Sequence, residues 1–236
     1  MFISSVAQAD FLTGGVAMTT SAYIDFGGQV GHYYVTPMRV TNITTEQKDF
    51  LLFCGDYTTT TSSAFSSSKG QEYNAFALMS PSVDLYTDIQ KSRINDLFGH
   101  AYANAFDLDG NILNAAYAQA IQLAIWTILH EETDNYNILE GSFHLTGSYN
   151  TEVANVTNKL LDAVFGATDW SGIGEFFDYD LTVYIAEGGK SISQTLISVT
   201  GSPNREEYAG AVPEPATILM LGMGLAGLGL ARRMKK

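Results

Sequence analysis

Residues 120–126 read Ala-Ile-Gln-Leu-Ala-Ile-Trp and lie at the centre of an apolar segment that runs from about Leu113 to Glu131. Apolar side chains recur along this segment at the three- and four-residue spacing of a helix face. They are Leu113, Tyr117, Ala120, Ile121, Ala124, Ile125, Ile128 and Leu129. The spacing predicts a helix with an apolar face, and such a face is most often plain core.

Strand patterns flank this helical centre on both sides. In the first third, β-branched and aromatic residues predict strands over 14–26, 31–36, 38–43 and Phe50 to Cys54, followed by a polar loop over 58–70. Two further helices are expected over Ser82 to Ala105 and Asn150 to Phe165, with a turn at 107–111. In the last third, Tyr179 to Ala186 alternates, and a Gly188-Gly189 hairpin leads into a strand over 191–200. The order predicts an α+β fold, a β-sandwich or barrel with a helical insert in the middle, plus a C-terminal single membrane helix.

The two ends of the chain predict export. Residues 6–9, Val-Ala-Gln-Ala, form a small-x-small cleavage pattern, so we interpret residues 1–9 as the remnant of a truncated signal peptide and place the mature start near Asp10. Residues 10–201 form the predicted ectodomain, residues 202–211 a linker, and residues 212–236 a separate C-terminal segment.

The C-terminal segment combines three elements in a fixed order. Pro213-Glu214-Pro215 comes first, an apolar stretch over 217–230 follows, and Arg232, Arg233 and two lysines end the chain. The stretch is short for a bilayer span, and its paired glycines permit close helix packing. The segment resembles the PEP-CTERM sorting signal. That resemblance implies processing by an exosortase, transient anchoring in the inner membrane, and a Gram-negative host that makes an exopolysaccharide matrix or biofilm.

The chain is acidic, with a net charge of −13. The C-terminal segment holds four basic residues and one acidic residue, and residues 1–9 hold no charged residue. After removal of both segments, eight of the twelve basic residues and 24 of the 25 acidic residues remain, so the net charge of the processed chain is −16. Nucleic acid, whose phosphates such a surface repels, is excluded as a partner.

Cys54 is the only cysteine of the chain, in the run Leu51-Leu52-Phe53-Cys54-Gly55-Asp56. A lone cysteine in an exported protein has no intrachain disulfide partner. It is therefore inert, pairs with another chain, or does chemistry. The run around Gln122 favours chemistry, namely an internal thioester between the Cys54 sulfur and the Gln122 side-chain carbonyl, formed with loss of ammonia.

Phe53-Cys54 and Gln122-Leu123-Ala124-Ile125-Trp126 resemble the two motifs of the thioester domains of bacterial surface adhesins. The order agrees, with the cysteine first. The resemblance covers about Phe50 to His130 and implies a surface protein that covalently captures an amine or hydroxyl group on a target. One position departs from the pattern: Ile121 stands where the adhesins usually have threonine, so a hydroxyl beside the glutamine is missing.

A thioester carbonyl is electrophilic, so it survives only where apolar side chains limit water. An N–H group must also be held ready for the developing oxyanion. The predicted wall consists of Phe53, Ile121, Ala124, Ile125 and Trp126. Capture of this kind happens once, so no enzyme in the usual sense is expected, and neither a metal nor a cofactor.

Two alternatives stay open at this point. In the first, Cys54 is an unreacted core residue of a structural or carbohydrate-binding β-sandwich of the exopolysaccharide matrix. In the second, acidic pairs such as Asp178 with Asp180, or Glu131 with Glu132, form a polysaccharide hydrolase site. The turn Asp107-Leu108-Asp109-Gly110-Asn111 lacks the spacing of an EF-hand, and the four histidines show no metal-ligand spacing.

Overall fold

The structure is a computed structural model that describes residues 8–16, 21–46, 50–56, 71–131, 136–187 and 194–199. The chain divides into two compact units, residues 1–202 and 203–236, and all the described residues belong to the first. The predicted loop over 58–70, the Gly188-Gly189 turn, the linker and the C-terminal helix lie outside the described residues.

The described residues form nine strands and three helices. The strands are β1 (Gln8–Val16), β2 (Ser21–Phe26), β3 (Gln29–Tyr34), β4 (Met38–Asn42), β5 (Phe50–Cys54), β6 (Gln71–Ala77), β7 (Phe143–Thr146), β8 (Leu181–Ala186) and β9 (Leu196–Val199). The helices are α1 (Asp88–Ala105), α2 (Ala115–His130) and α3 (Thr151–Val164).

Six of the strands form a closed antiparallel barrel in the order β1-β4-β5-β9-β8-β6. Of the two predicted alternatives, a β-sandwich or a barrel, the barrel is observed, and the helices lie in the middle of the sequence, between β6 and β8. Strand β6 was missed, because its polar run from Gln71 to Asn74 has no apolar alternation. Closure of the ring pairs both edges of every barrel strand.

The other three strands form a separate antiparallel sheet in the order β3-β2-β7. The single strand expected over 14–26 is wrong: β1 pairs with β4 and β6 in the barrel, whereas β2 pairs with β3 and β7. Strands β2 and β3 are joined by a two-residue turn in which Gly27 and Gly28 both have positive φ (57° and 89°), the conformation that favours glycine in tight hairpins.

Helix α1 begins six residues later than expected. Thr87 accepts a hydrogen bond from the Gln90 backbone N–H at 3.2 Å, and Gln90 Oε1 accepts from the Thr87 N–H at 2.9 Å. This reciprocal capping box satisfies two N–H groups that a helix start leaves open, so it fixes the first turn after Thr87. Helices α2 and α3 begin after Asn114 and Asn150, each of which caps its helix through its side chain.

Helix α2 is the centre of the core, as its apolar sequence predicts. It contacts α1, α3 and β5, and residues 118–128 are all buried. A helix that is apolar almost all round needs neighbours on every side. Among the described residues, no helix combines the length and the apolar character that crossing a membrane requires.

Candidate functional site

Cys54 is the last residue of β5, a strand whose five residues are all buried. Its antiparallel partner is Leu196 at the start of β9. This register brings the residues just before β9, Gln194 and Thr195, beside the turn Cys54-Gly55-Asp56. The candidate site is therefore assembled where β5 ends and β9 begins.

Gln122 reaches the same point from α2. Its side chain is fully buried, and its amide is paired with the main chain of Cys54. The Cys54 N–H donates to Gln122 Oε1 at 2.8 Å, and Gln122 Nε2 donates to the Cys54 carbonyl oxygen at 2.9 Å. The two residues expected to meet, 68 positions apart in the sequence, are therefore in direct contact.

The direction of these two bonds matters for chemistry at the Gln122 carbonyl. An oxyanion that forms when a nucleophile adds to the carbon is stabilised by N–H donors aimed at the position that the oxyanion takes, which differs from that of the unreacted carbonyl oxygen. The Cys54 N–H donates to the unreacted Oε1 at 2.8 Å. It is the N–H group nearest to hand for the donor that the sequence argument required.

A second glutamine holds the sulfur. Cys54 Sγ donates to Gln194 Oε1 at 3.2 Å, and Gln194 Nε2 donates to the carbonyl oxygen of Asp56. Gln194 is itself buried. Sequence reasoning missed this residue, because it belongs to no motif and lies 140 positions after the cysteine.

The turn after Cys54 is fixed from both sides. The Tyr86 hydroxyl donates to the Gly55 carbonyl oxygen at 2.9 Å, and the Gly55 N–H donates to the Thr195 carbonyl oxygen at 2.8 Å. A Cβ atom on Gly55 would lie 2.3 Å from the Tyr86 hydroxyl oxygen. Only glycine fits this close approach, and its presence holds Tyr86 over the turn.

Burial keeps the Cys54 thiol protonated. Loss of solvent raises the pKa of Cys54 from 9.0 to about 12, and the nearby carboxylate of Asp56 adds to the effect. The pKa of Tyr86 is also raised far above its usual range, first by burial and then by the charges of Asp56 and Cys54. The site holds a neutral thiol rather than a standing thiolate.

A cavity of about 220 Å³ opens beside the Cys54 turn. It is lined by seven of the described residues, namely Gly55, Asp56, Leu85, Tyr86, Leu129, His130 and Thr195. The cavity lies against the turn that follows Cys54, and neither Cys54 nor Gln122 is among the described residues that line it. Sequence reasoning identified none of this lining as functional.

The five predicted wall residues are all buried, but they do not line this cavity. Phe53 lies edge-on to Phe98 and Phe106, with ring centroids 5.1 and 5.7 Å apart. Trp126 lies edge-on to Tyr33 and Phe143 at 6.2 Å each. Ile121, Ala124 and Ile125 are fully buried along α2. Phe53 therefore packs against α1 and its end, and Trp126 against the β3-β2-β7 sheet, so both belong to the core.

The acidic pairs have other surroundings. Glu131 is buried, and its Oε1 accepts from the Phe143 N–H at 2.7 Å and the Ser142 hydroxyl at 3.0 Å, which ties the end of α2 to β7. Glu132 lies outside the described residues. Asp178 and Asp180 are exposed, and with Asp10 they border an open pocket of about 600 Å³.

The turn at 107–111 is closed by its own hydrogen bonds. Asp107 Oδ1 accepts from the N–H groups of Asp109 and Asn111 at 3.0 and 2.7 Å, and Gly110 has a positive φ. The pKa of Asp107 is lowered, first by the hydrogen bond that its carboxylate accepts from the Asn111 side chain and then by the backbone N–H of Asn111. In the part of the chain that the structure describes, no cluster of His, Cys, Asp or Glu has metal-binding geometry.

The structure describes the residues around the predicted N-terminal cleavage site but not those of the C-terminal sorting signal. Strand β1 includes Gln8 and Ala9, which pair with Ala75 and Asn74, so the predicted cleavage before Asp10 would shorten a paired strand. That cleavage stays a prediction. The sorting residues Pro213, Glu214, Pro215, Arg232 and Arg233 lie outside the described residues.

Comparison with known proteins identifies the C-terminal segment. Residues 211–235 match the family model of the PEP-CTERM protein-sorting motif, which confirms the sorting signal recognised in the sequence. No match was found among curated protein sequences.

Three solved structures are similar to the described domain. The N-terminal domain of the Streptococcus pyogenes pilus tip adhesin Cpa has 12% identity and a TM-score of 0.48, with 85% of this chain and 100% of that chain covered. The N-terminal thioester domain of fibronectin-binding protein SfbI from Streptococcus pyogenes has 14% identity and a TM-score of 0.44, covering 75% and 91%. The N-terminal thioester domain of a surface protein from Clostridium perfringens has 11% identity and a TM-score of 0.45, covering 81% and 98%.

At these identities and scores the likeness does not decide what the chain binds, and function has to be argued from the site itself. The chain thus carries a PEP-CTERM protein-sorting motif at residues 211–235, preceded by a domain similar in architecture to those of bacterial adhesins and surface proteins, two of them named thioester domains.

Proposed function

We propose that this chain is an exported cell-surface adhesin that captures an amine or hydroxyl group covalently, through a thioester between Cys54 and Gln122. The observation that carries the proposal is the double hydrogen bond between the Gln122 amide and the Cys54 main chain. The sorting motif supports export and processing by an exosortase. The acceptor is a surface target or an exopolysaccharide.

Formation of the bond joins two residues that are already hydrogen-bonded to each other through the Cys54 main chain. The Cys54 sulfur adds to the side-chain carbonyl carbon of Gln122, the Cys54 N–H stabilises the oxyanion on Oε1, and the former amide nitrogen leaves as ammonia with the thiol proton. A sulfur–carbon bond forms and a carbon–nitrogen bond breaks, with no oxidant or reductant required. Burial of Gln122 limits hydrolysis of the product.

In capture the sulfur is the leaving group, whereas in formation of the thioester it was the attacking group. An amine or hydroxyl entering by the cavity near His130 adds to the same carbonyl carbon, again with the Cys54 N–H donating to the oxyanion. The sulfur leaves and takes up the proton of the nucleophile. The target is then joined to Gln122 by an amide or ester, and Cys54 is a free thiol. A thiol whose pKa is raised to about 12 leaves less readily than an ordinary one, so the bond waits for a well-placed acceptor.

A structural role for Cys54 is the second candidate, and one observation favours it. Both polar ends of the Gln122 amide already have hydrogen-bond partners, as expected of a buried glutamine that simply joins α2 to β5. In that case the thiol and the amide coexist without condensing.

Intact mass separates the two candidates. The purified protein is expected one ammonia below its sequence mass, and the deficit disappears in Cys54→Ala and in Gln122→Leu. Gln119→Leu is the matched control, because Gln119 is also buried on α2 but makes no contact with Cys54 among the described hydrogen bonds. The control keeps the deficit. A full sequence mass in the folded protein would end the thioester proposal in favour of the structural one, in which Cys54 is a buried thiol.

A further inference from the structure

Asp10 is a buried residue of β1 that borders the open pocket of about 600 Å³ where β6 ends and β8 begins. Its side chain is 6% exposed, and in the part of the chain that the structure describes its Oδ1 has no hydrogen-bond donor. A carboxylate oxygen withdrawn from water costs free energy unless a donor replaces the lost water, so nearly all such groups have a partner. This oxygen therefore calls for a donor that the described residues do not supply.

The strand register fixes the direction of the Asp10 side chain. Asp10 lies opposite Tyr73 on β6, and Tyr73 lies opposite Ala186 on β8. Directly opposed residues of antiparallel strands point to the same face, and both Tyr73 and Ala186 are buried, so Asp10 points into the barrel. The pKa of the buried Tyr184 is raised, first by burial and then by the charge of Asp10, as expected for a carboxylate on this inner face.

Two further carboxylates border the same pocket from its open side. Asp178 and Asp180 are exposed on the segment that leads into β8, and Asn95 of α1 adds a half-buried amide. Among the described residues that line the pocket, none is a lysine, an arginine or a histidine. Because the whole chain also carries a net charge of −13, the field in the pocket favours a cationic ligand.

The cation that fits this lining is organic. Within the described ranges, no three His, Cys, Asp or Glu side chains converge with metal-binding geometry. The wall includes apolar groups, namely Phe76, Leu78 and the exposed Met79. A guanidinium is planar and weakly hydrated, so its faces can pack on such groups while its N–H groups donate to carboxylates at its edge, whereas an ammonium is a compact and strongly hydrated charge. The lining therefore favours a guanidinium.

We propose that this pocket is a non-covalent docking site for an arginine side chain of a partner protein, with Asp10 as its buried anchor and Asp178 and Asp180 at its entrance. Neither Cys54 nor Gln122 is among the described residues that line it, so the inference does not depend on the thioester. The acidic chain attracts a basic partner from a distance, and the pocket then selects an arginine on its surface.

Saturation-transfer NMR, observed on the ligand, tests the site with arginine capped as N-acetyl-arginine methylamide, so that the guanidinium is its only charge. The unaltered chain is expected to bind this probe saturably. It should bind the capped citrulline analogue, which has nearly the same shape without the charge, about tenfold more weakly or worse, because hydrogen bonds to charged groups are the stronger ones. The capped lysine analogue should also bind more weakly than arginine.

The variant Asp10→Asn removes the buried charge with little change of shape. It is expected to weaken binding of the arginine probe about tenfold or more. Asp162→Asn is the matched control, because it makes the same substitution at a half-buried carboxylate that borders a different open pocket, of about 450 Å³. The control should bind the probe as tightly as the unaltered chain does.

Thermal unfolding separates a ligand site from a purely structural role. A buried charge without a partner does not stabilise the fold, so Asp10→Asn is expected to melt at or above the temperature of the unaltered chain while it loses the probe. If Asp10→Asn does not fold by near-ultraviolet circular dichroism, the double variant Asp178→Asn/Asp180→Asn tests the entrance instead. Its expected loss of affinity is about two- to fivefold, since exposed carboxylates are screened by water and salt.

Equal affinity of the unaltered chain and of folded Asp10→Asn would overturn the proposal, as would equal affinity of the double variant where that variant has to be used. Absence of saturable binding, or binding of citrulline or lysine as tight as that of arginine, would also overturn it. An Asp10→Asn protein that loses the probe but melts at a lower temperature would assign Asp10 to the fold and likewise overturn the docking role.

Discussion

Tyr86 donates its hydroxyl to the carbonyl oxygen of Gly55, the residue that follows Cys54, at 2.9 Å. The same hydroxyl oxygen would lie 2.3 Å from a Cβ atom at Gly55. The two residues therefore fit only as a pair, and their coupling can be measured in a double-mutant cycle.

Gly55→Ala is expected to destabilise the protein, because Tyr86 is buried and cannot move aside freely. Tyr86→Phe alone should cost about 1 kcal/mol, the net value of one hydrogen bond. In the double variant the clash is relieved. The loss in free energy of unfolding of the double variant should therefore be smaller than the sum of the losses of the two single variants. Urea denaturation of the four proteins measures this, and strictly additive losses would argue against the close approach.

Phe53 is the predicted wall residue with the clearest packing role. Its ring lies edge-on to Phe98 and Phe106, so Phe53→Ala leaves a cavity between β5 and α1. The expected loss in free energy of unfolding is about 3–5 kcal/mol. Leu113→Ala, at a side chain that is 64% exposed, serves as the control and should change stability little. A loss for Phe53→Ala no larger than that of the control would contradict the packing described here.

In a protein without the thioester, the raised pKa of the Cys54 thiol makes the free energy of unfolding depend on pH. In Gln122→Leu no thioester can form, so Cys54 titrates at about 12 in the folded chain and at its usual 9.0 when unfolded. The unfolded state then loses a proton that the folded state keeps. The free energy of unfolding therefore falls as pH rises above about 9, by about 1.4 kcal/mol per pH unit for one proton, until the folded thiol also ionises.

Comparison with Gln122→Leu/Cys54→Ala isolates that slope. Tyr184, whose pKa burial and Asp10 raise to about 12, and Tyr86, whose pKa burial also raises, are present in both proteins, so the comparison removes their contributions. Chemical denaturation between pH 8 and about 11 should show the steeper decline only where Cys54 is present. Parallel curves would mean that the thiol is not shielded as the structure describes.

Sequence reasoning reached the barrel, the three helices and the Cys54–Gln122 contact for identifiable reasons. The apolar strand β5 and the largely apolar helix α2 leave few environments other than a shared core, and the two motifs mark which side chains meet there. Strand β6 escaped because three of its first four residues are polar, and closure of the ring rather than alternation makes it a strand. The split between β1 and β2 escaped because loose alternation does not reveal a change of sheet.

The surroundings of the sulfur could not be read from the sequence. Gln194 and Tyr86 come from segments far from Cys54, and each touches the turn through one polar atom whose position depends on strand register and helix placement. Asp56 is different, because it lies two residues from Cys54 and a carboxylate so near a buried thiol is a visible signal.

Gln122 and Gln194 both touch Cys54, so the most direct measurement is to locate the acyl group. The folded protein is treated with methylamine, digested, and sequenced by tandem mass spectrometry. The account predicts that methylamine replaces the amide nitrogen of Gln122, with one free thiol gained at Cys54. Methylamine on Gln194, or on no glutamine at all in a folded protein, would contradict it.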